Sequence, residues 1–207
     1  MKSNLQDPKI AGLLLAAGGS KRLGYPKQLM MINGKPLISH MVSVIKKGGI
    51  ADLYVVVGAF SDAIIKVIEN PSIAIVHNPD WRNGISTSIK CGIKFIEKDY
   101  DVLIVFVIDQ PFLDAELIKR IVETVKISNA EVIAAKTAGQ QTHPVAYRKS
   151  VFKELLLLEG DKGGKEIIQK KRVVWVEWPA KELLLDIDTL DDVNLINRHL
   201  SQDQNSH

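Results

Sequence analysis

The chain has 207 residues, of which 46% are hydrophobic and 25% are charged, and its formal net charge is +3. This size and balance are those of one soluble domain with a continuous core, and the mild charge argues against nucleic acid as a partner. The single cysteine excludes an intramolecular disulfide and a thiol-only metal site. Because no secretory leader or membrane-spanning apolar run is visible, we expect a cytoplasmic protein with no membrane partner.

Short apolar segments alternate with amphipathic segments along residues 9–136. The apolar segments resemble strands buried on both faces of a parallel sheet, and they cover 9–17, 52–58, 72–77, 101–109 and 131–136. The amphipathic segments have helical spacing, and they cover 36–47, 61–69, 84–98 and 114–127. The alternation predicts an α/β fold with a mostly parallel central sheet and helices on both faces. In such folds ligands bind outside the carboxyl ends of the strands.

The alternation breaks down after residue 136. The remaining segments have the composition of a loop with a short strand (137–150), two helical pieces broken by glycines (151–170), a strand (172–178) and a final helix from about Thr189. Nothing marks a domain boundary, so the second half is expected to complete a pocket on the same sheet. We expect one domain over residues 1–200 and a disordered tail over 201–207.

The segment 13–30 joins the first predicted strand to a glycine turn that contains cations. Gly18 and Gly19 let backbone N–H groups approach an anion, and Arg22 and Lys27 add positive charge. A polyphosphate fits such a loop, although the glycine spacing matches neither the P-loop nor the G-x-G-x-x-G fingerprint. The competing interpretation is a surface loop with solvated basic side chains.

Two acids are candidates for a metal site. Asp109 ends a predicted strand at the edge where a ligand is expected, and Mg²⁺ is usually held by one or two carboxylates together with substrate phosphates. Asp186 and Asp188 lie on the same face of an extended segment, and either can supply the second carboxylate; the family resemblance described below favours Asp188. A helix cap is the competing role for Asp109, but Asp114 already fills that position.

The residue order around the glycine turn identifies a family resemblance. Residues 13–27 resemble the L-A-A-G-x-S-x-R-x-G-x-x-K signature of nucleotidyltransferases that activate small molecules with a nucleoside triphosphate. Within that superfamily, which is the MobA-like NTP transferases, the chain resembles the molybdenum cofactor cytidylyltransferases, the MocA-like group. The likeness continues, in the family's order, through 78–93, 108–118, 143–164 and 186–193.

The resemblance implies a Rossmann-like nucleotide-diphospho-sugar transferase fold and a reaction that depends on Mg²⁺ or Mn²⁺. In that reaction a pterin phosphate attacks the α-phosphorus of CTP and pyrophosphate leaves. The site residues carried over are Ala16, Ala17, Gly18, Gly19, Ser20, Arg22, Lys27 and Ser88 for the nucleotide; Arg22, Lys27 and Asp109 for catalysis; Asp109 and Asp188 for the metal; and His143, Asp161 and Lys162 for the acceptor.

Some residues depart from the family pattern or have competing structural roles. Family members have glycine where this chain has Ile108, which can reshape the pocket floor. Ser86 or Ser88 is expected to cap the helix 84–98, and Trp81 is expected to pack in the core rather than to form a pocket wall. His143 is not assigned as a general base, because an acceptor phosphomonoester is already ionised near neutral pH.

Two other functions remain open from the sequence. One is a nucleotidyltransferase that acts on a sugar phosphate or on another cofactor precursor. The other is a non-catalytic accessory protein that delivers molybdenum cofactor to a partner oxidoreductase. The presence of Arg22, Lys27, Asp109 and Asp188 favours catalysis over the accessory role.

Overall fold

The computed structural model describes residues 7–32, 34–68 and 70–204, with side chains up to residue 199. The strands are β1 (Ile10–Leu15), β2 (Met31–Ile32), β3 (Lys35–Pro36), β4 (Asp52–Val57), β5 (Ile73–His77), β6 (Val102–Val107), β7 (Val132–Thr137), β8 (Gln140–Arg148) and β9 (Val173–Glu177). The α-helices are α1 (Leu37–Lys47), α2 (Ser61–Val67), α3 (Ile85–Ile96), α4 (Ala115–Ile127), α5 (Phe152–Leu155), α6 (Lys165–Ile168) and α7 (Leu190–Gln204).

Seven of these strands form the central sheet, in the order β5-β4-β1-β6-β8-β7-β9. Strand β8 is antiparallel to both of its neighbours, whereas the other adjacent pairs are parallel. The prediction of a mostly parallel sheet is therefore confirmed. Strands β2 and β3 form a separate antiparallel pair beside it.

The antiparallel strand corrects the expectation of a loop with a short strand over 137–150. Strands β7 and β8 form a hairpin whose two connecting residues, Ala138 and Gly139, have φ values of 48° and 78°. A turn with positive φ at both central residues has a backbone twist that matches the right-handed twist of the two strands it joins. The chain can therefore reverse within two residues. Strand β8 then runs for nine residues through His143.

The helices cover both faces of the sheet, as predicted. Helices α1, α2, α4 and α7 contribute apolar side chains to the core on one face, and α3, α5 and α6 to the core on the other. Strand β1 is buried from both sides because Leu14 faces the first core while Leu13 and Leu15 face the second. Helix α3 packs closely on β1, since a Cβ at Gly92 would lie 2.5 Å from the side chain of Leu13.

The C-terminal helix begins where the sequence predicted a helix and continues further than expected. Helix α7 runs to Gln204, so residues 201–204 of the expected disordered tail are helical, and residues 205–207 lie outside the described part of the chain. Among the residues that the structure describes, no helix combines the length and apolarity needed to cross a bilayer.

Candidate functional site

A cavity of about 420 Å³ opens at the carboxyl ends of β1 and β6. On one side of β1 lie β4 and then the edge strand β5, and on the other side of β1 lies β6. The strand order therefore reverses between β1 and β6, and loops at such a reversal diverge to leave a crevice. The residue order of the chain places the glycine turn after β1 and Asp109 after β6, so both border this crevice.

Three carbonyl groups of the loop 16–20 point away from the cavity and accept hydrogen bonds from neighbouring segments. The carbonyl oxygens of Ala16 and Gly18 accept hydrogen bonds from Nε2 of Gln28, each at 2.8 Å, and that of Ala17 accepts from Ala59 N at 3.0 Å. Within the described residues, the backbone N–H groups of 17–20 have no hydrogen-bond partner. Unpaired N–H groups at the wall of a crevice form a site for an anion.

The side of the loop facing β4 is packed against Trp81. A Cβ at Gly19 would lie 2.8 Å from the Trp81 ring, so the loop can approach this ring only with glycine at that position. The half-buried Trp81 also lines the cavity, and the Arg82 guanidinium lies 4.4 Å from the ring centroid. The expectation that Trp81 packs rather than forms a pocket wall is corrected, because the ring does both.

The two predicted cations and the two predicted metal ligands are in direct contact. The Lys27 ammonium lies 3.3 Å from Oδ1 of Asp188 and 3.6 Å from Oδ2 of Asp109, and the Arg22 guanidinium lies 3.1 Å from Oδ2 of Asp188. Lys27 also donates a 2.5 Å hydrogen bond to the Ile187 carbonyl. The segment that carries Asp188 is fixed to the end of β6 by a 2.9 Å hydrogen bond from Ile187 N to the Asp109 carbonyl.

A third acid, Asp186, lies beside this cluster. Partial burial, with the negative charge of Asp109 as the next cause, raises the pKa of Asp186 to about 6. The cluster thus holds an excess of acidic groups around one ammonium. Asp186 does not line the cavity, whereas Asp188 does.

The donor set fits a divalent cation that arrives with phosphates. Asp109 and Asp188 converge on one position, which the Lys27 ammonium occupies, and carboxylate oxygens are preferred ligands of Mg²⁺ and Mn²⁺. In the described ranges, no group of three or more His, Cys, Asp or Glu side chains is arranged to hold a metal by itself. The remaining ligands would therefore have to come from substrate oxygens and water.

Most of the predicted nucleotide-binding residues meet in the cavity. Its lining includes Ala17, Gly18, Gly19, Ser20, Arg22, Lys27, Ser88 and Asp109. Ala16 is the exception, since its side chain is buried in the core and its backbone is bonded to Val56 and Gln28.

Helix α3 begins at the cavity without a serine cap, contrary to expectation. Gly84 occupies the N-cap position with a φ of 99°, and no side chain caps the helix. The Ser86 amide donates instead to the Gly160 carbonyl at 3.1 Å, and Ser88 accepts a 2.9 Å hydrogen bond from Asn78. The predicted Asp114 cap of α4 is confirmed, with a 2.6 Å hydrogen bond from Glu116 N.

The predicted acceptor residues are only partly brought together. Asp161 lines the cavity, because its loop packs on α3 so closely that a Cβ at Gly84 would lie 2.2 Å from the Gly160 carbonyl carbon. Lys162 is exposed and pairs with Glu166 at 3.2 Å. His143 lies on β8 outside the cavity lining; burial lowers its pKa, and the charge of Asp109 opposes that shift.

Gln28 and Asn78 are among the residues at the site that were not found from the sequence. Gln28 is completely buried beneath the glycine loop, and Asn78 is a buried partner of Ser88. The sequence feature that could have indicated a buried role for Gln28 is its position directly before the apolar run Leu29–Ile32. Asn78 directly follows the predicted strand 72–77, but an amide at a strand end does not indicate a chemical role as the carboxylate of Asp109 does.

The fold and the cavity define an α/β protein with a crevice at the switch point of its sheet, lined by unpaired loop N–H groups and basic side chains. Residues 12–174 match the model of the MobA-like NTP transferase domain, and the chain belongs to that family.

Curated relatives carry several different names. The chain is 32% identical over 115 residues to nicotine blue oxidoreductase of Paenarthrobacter nicotinovorans, covering 55% of this chain and 56% of that protein. It is 30% identical over 160 residues to the bifunctional protein GlmU of Thermosipho africanus, covering 76% and 34%. It is 28% identical over 145 residues to 2-C-methyl-D-erythritol 4-phosphate cytidylyltransferase of Leptospira interrogans, covering 67% and 60%. The chain thus spans between a third and three fifths of these relatives.

Solved structures share the whole fold. Rv0371c from Mycobacterium tuberculosis superimposes with a TM-score of 0.84 at 24% identity, covering 93% of this chain and all of that chain. A complex of Rv0371C with manganese gives a TM-score of 0.74 at 23% identity, covering 92% and 98%. At these identities the likeness establishes the fold.

Proposed function

We propose that the protein is a metal-dependent nucleotidyltransferase of the MocA-like group, which transfers CMP from CTP to a molybdopterin phosphate. The observation that carries this proposal is the convergence of unpaired N–H groups, two cations and two carboxylates in one cavity. The N–H groups belong to residues 17–20, and the charges to Arg22, Lys27, Asp109 and Asp188. A triphosphate with its metal satisfies all of these groups together.

In this reaction an oxygen of the acceptor phosphate attacks the α-phosphorus of CTP. A new P–O bond forms as the bond to the β-phosphate oxygen breaks, and the electron pair leaves with pyrophosphate. Arg22 can hold the outer phosphates bidentately, while Lys27 neutralises the charge that develops on the leaving group. The loop N–H groups fix the phosphate chain in line with the acceptor.

A bound Mg²⁺ or Mn²⁺ would supply Lewis-acid charge for the phosphate groups of the substrate. Asp109 and Asp188 would hold it, because both carboxylates already face one cationic position. The ammonium of Lys27 would then turn from the carboxylates toward the phosphates. No general base is needed, since the attacking phosphate is already ionised.

The nucleobase is assigned to the part of the cavity between β1 and α3. Ala17 and Ser88 line it there, and the Ser88 hydroxyl is oriented by Asn78. A methyl group at residue 17 narrows the approach to the loop backbone, which favours a pyrimidine over a purine. Ser88 supplies a polar group for the edge of cytosine.

The acceptor is assigned to the open side of the cavity near Asp161, and His143 and Lys162 remain assigned to it although neither lines the cavity. Asp161 is the predicted acceptor residue that lines the cavity. Another phosphorylated acceptor is the second candidate, because one relative is named as a cytidylyltransferase for methylerythritol phosphate. A molybdenum oxidoreductase that receives the product is the proposed protein partner.

Pyrophosphate release decides between these reactions. The purified protein is incubated with Mg²⁺ and each nucleoside triphosphate in turn, with and without molybdopterin. We expect release with CTP that requires molybdopterin. Release only with a sugar or polyol phosphate would replace the acceptor, and no release with any acceptor would favour an accessory role.

A further inference from the structure

We propose that Gln28 is the positioning residue that holds the loop 16–20 in its phosphate-binding conformation. Its side chain is 0% exposed, and its Nε2 group donates hydrogen bonds to the carbonyl oxygens of Ala16 and Gly18, each at 2.8 Å. The inference rests on the proposed function in one respect, which is that the ligand of the loop is a phosphate chain.

The geometry of the peptide bond explains how a buried side chain controls the anion site. In a planar trans peptide, the carbonyl of one residue and the N–H of the next point in opposite directions. When Gln28 draws the Ala16 and Gly18 carbonyls toward the core, the N–H groups of Ala17 and Gly19 must point away from it. Gln28 therefore sets the direction of two peptide planes in the loop.

Glycine makes such a restraint necessary. Gly18 and Gly19 have little steric preference, so their peptide planes can rotate at small cost. A rotated plane would present a carbonyl oxygen to the phosphates and repel them. The neutral amide of Gln28 supplies two N–H donors, which hold two carbonyls without adding charge.

The Oε1 atom of Gln28 indicates that a contribution to stability is not the whole reason for a glutamine at this position. Its Oε1 atom is buried and has no hydrogen-bond partner among the described residues. An unpaired buried acceptor destabilises the fold. Gln28 thus costs stability at Oε1 while its Nε2 group organises the cavity wall.

The test compares phosphate binding by Gln28→Met with that of a matched variant. Methionine has a similar length but no N–H donor. The control is Thr137→Val, which removes a 3.1 Å hydrogen bond from a fully buried side chain to the Ala180 carbonyl, away from the cavity. Inorganic tripolyphosphate is titrated calorimetrically at a temperature where all three proteins are folded. We expect at least a tenfold loss of affinity in Gln28→Met and no loss in Thr137→Val.

The outcomes separate this inference from the proposed function. Binding by Gln28→Met within twofold of the wild type would overturn the inference, as would a wild type that does not bind tripolyphosphate. If Gln28→Met alone loses binding but the wild type transfers no CMP to any acceptor, the inference stands and the proposed function fails.

A second variant covers the case in which Gln28→Met does not fold. Gln28→Glu keeps the size of the side chain but faces the two carbonyls with a carboxylate. Protonation restores one donor, so tripolyphosphate affinity relative to the wild type should recover as the pH is lowered. A ratio of affinities that stays constant with pH would contradict the positioning role.

Discussion

The ammonium nitrogen of Lys27 lies 3.3 Å from Oδ1 of Asp188, although the two residues are 161 positions apart in the chain. The Lys27 side chain is 13% exposed and the Asp188 side chain is 43% exposed, so solvent reaches the pair from the Asp188 side. Asp109 shares the same ammonium. Lys27 therefore occupies the position between the two carboxylates where a divalent cation is proposed to bind.

Replacing Asp109 by Asn should abolish most turnover while the fold survives. The substitution removes one of two carboxylate charges from the metal site but keeps the size of the side chain. We expect pyrophosphate release in Mg²⁺ to fall by at least about a hundredfold. The exposed Asp99→Asn serves as control for a general change in charge. Release at the wild-type rate by folded Asp109→Asn would show that the metal assignment is wrong.

Lys27→Ala and Arg22→Ala should weaken binding of CTP more than binding of CMP. Each variant loses a charged contact with the outer phosphates, worth about 1.5–3 kcal/mol. Lys21→Ala should have little effect because Lys21, although it also lines the cavity, is exposed and makes no ion pair within the described residues. Calorimetric titration measures both ligands, and equal losses for CTP and CMP would remove Lys27 from the phosphate site.

Lys27→Met should bind Mn²⁺ more tightly than the wild type when no nucleotide is present. The ammonium competes with a metal for Asp109 and Asp188, and its removal leaves two carboxylates without their shared cation. Electron paramagnetic resonance of free Mn²⁺ measures the affinity, which we expect to rise by about tenfold. Lys153→Met, which removes an exposed lysine outside the cavity lining, is the control. Unchanged Mn²⁺ affinity in Lys27→Met would separate the metal position from the ammonium position.

Asp186→Asn should make the metal-free protein more stable at neutral pH. The folded-state pKa of Asp186 is raised to about 6, above its value in the unfolded chain, so the folded state binds the extra proton. Stability is therefore lost as the pH rises from about 4 to about 6. Because Asp186 is only partly buried, solvent weakens the effect, and the gain in Asp186→Asn at pH 7 should be only about 1 kcal/mol. Urea unfolding in a chelator measures it, and an equal gain at pH 3 would contradict the titration.

Ala17→Gly should relax the preference for CTP over GTP without reversing it. The variant removes the methyl group of Ala17, a buried residue that borders the cavity, and a change of this size is worth about 1–3 kcal/mol of discrimination. Ser88 would still favour cytosine. A competition assay with equal CTP and GTP reports the preference. Wild-type protein that consumes GTP first would overturn the cytidylyl assignment and leave the fold and the metal site unaffected.

The sequence by itself determined the parallel part of the sheet and the composition of the site. Runs such as 9–17 and 101–109 are apolar on both faces, a requirement that buried parallel strands impose locally. The order of residues in 13–27 identified the glycine loop and its cations, because a phosphate site needs those residue types within a few positions. Asp109 was found as an acid that ends an apolar segment, and the family resemblance favoured Asp188 over Asp186.

The tertiary structure decided how these pieces meet. Strand β8 is antiparallel because the chain turns back within two residues, Ala138 and Gly139, which both have positive φ values. The composition of the segment did not predict this turn. Lys27 contacts two distant carboxylates because the strand order brings their segments to the same edge of the sheet. Gln28 binds the carbonyl groups of the loop because it is buried beneath it. Local patterns record which side chains must be buried, whereas contacts between distant residues are fixed only when the sheet brings their strand ends together.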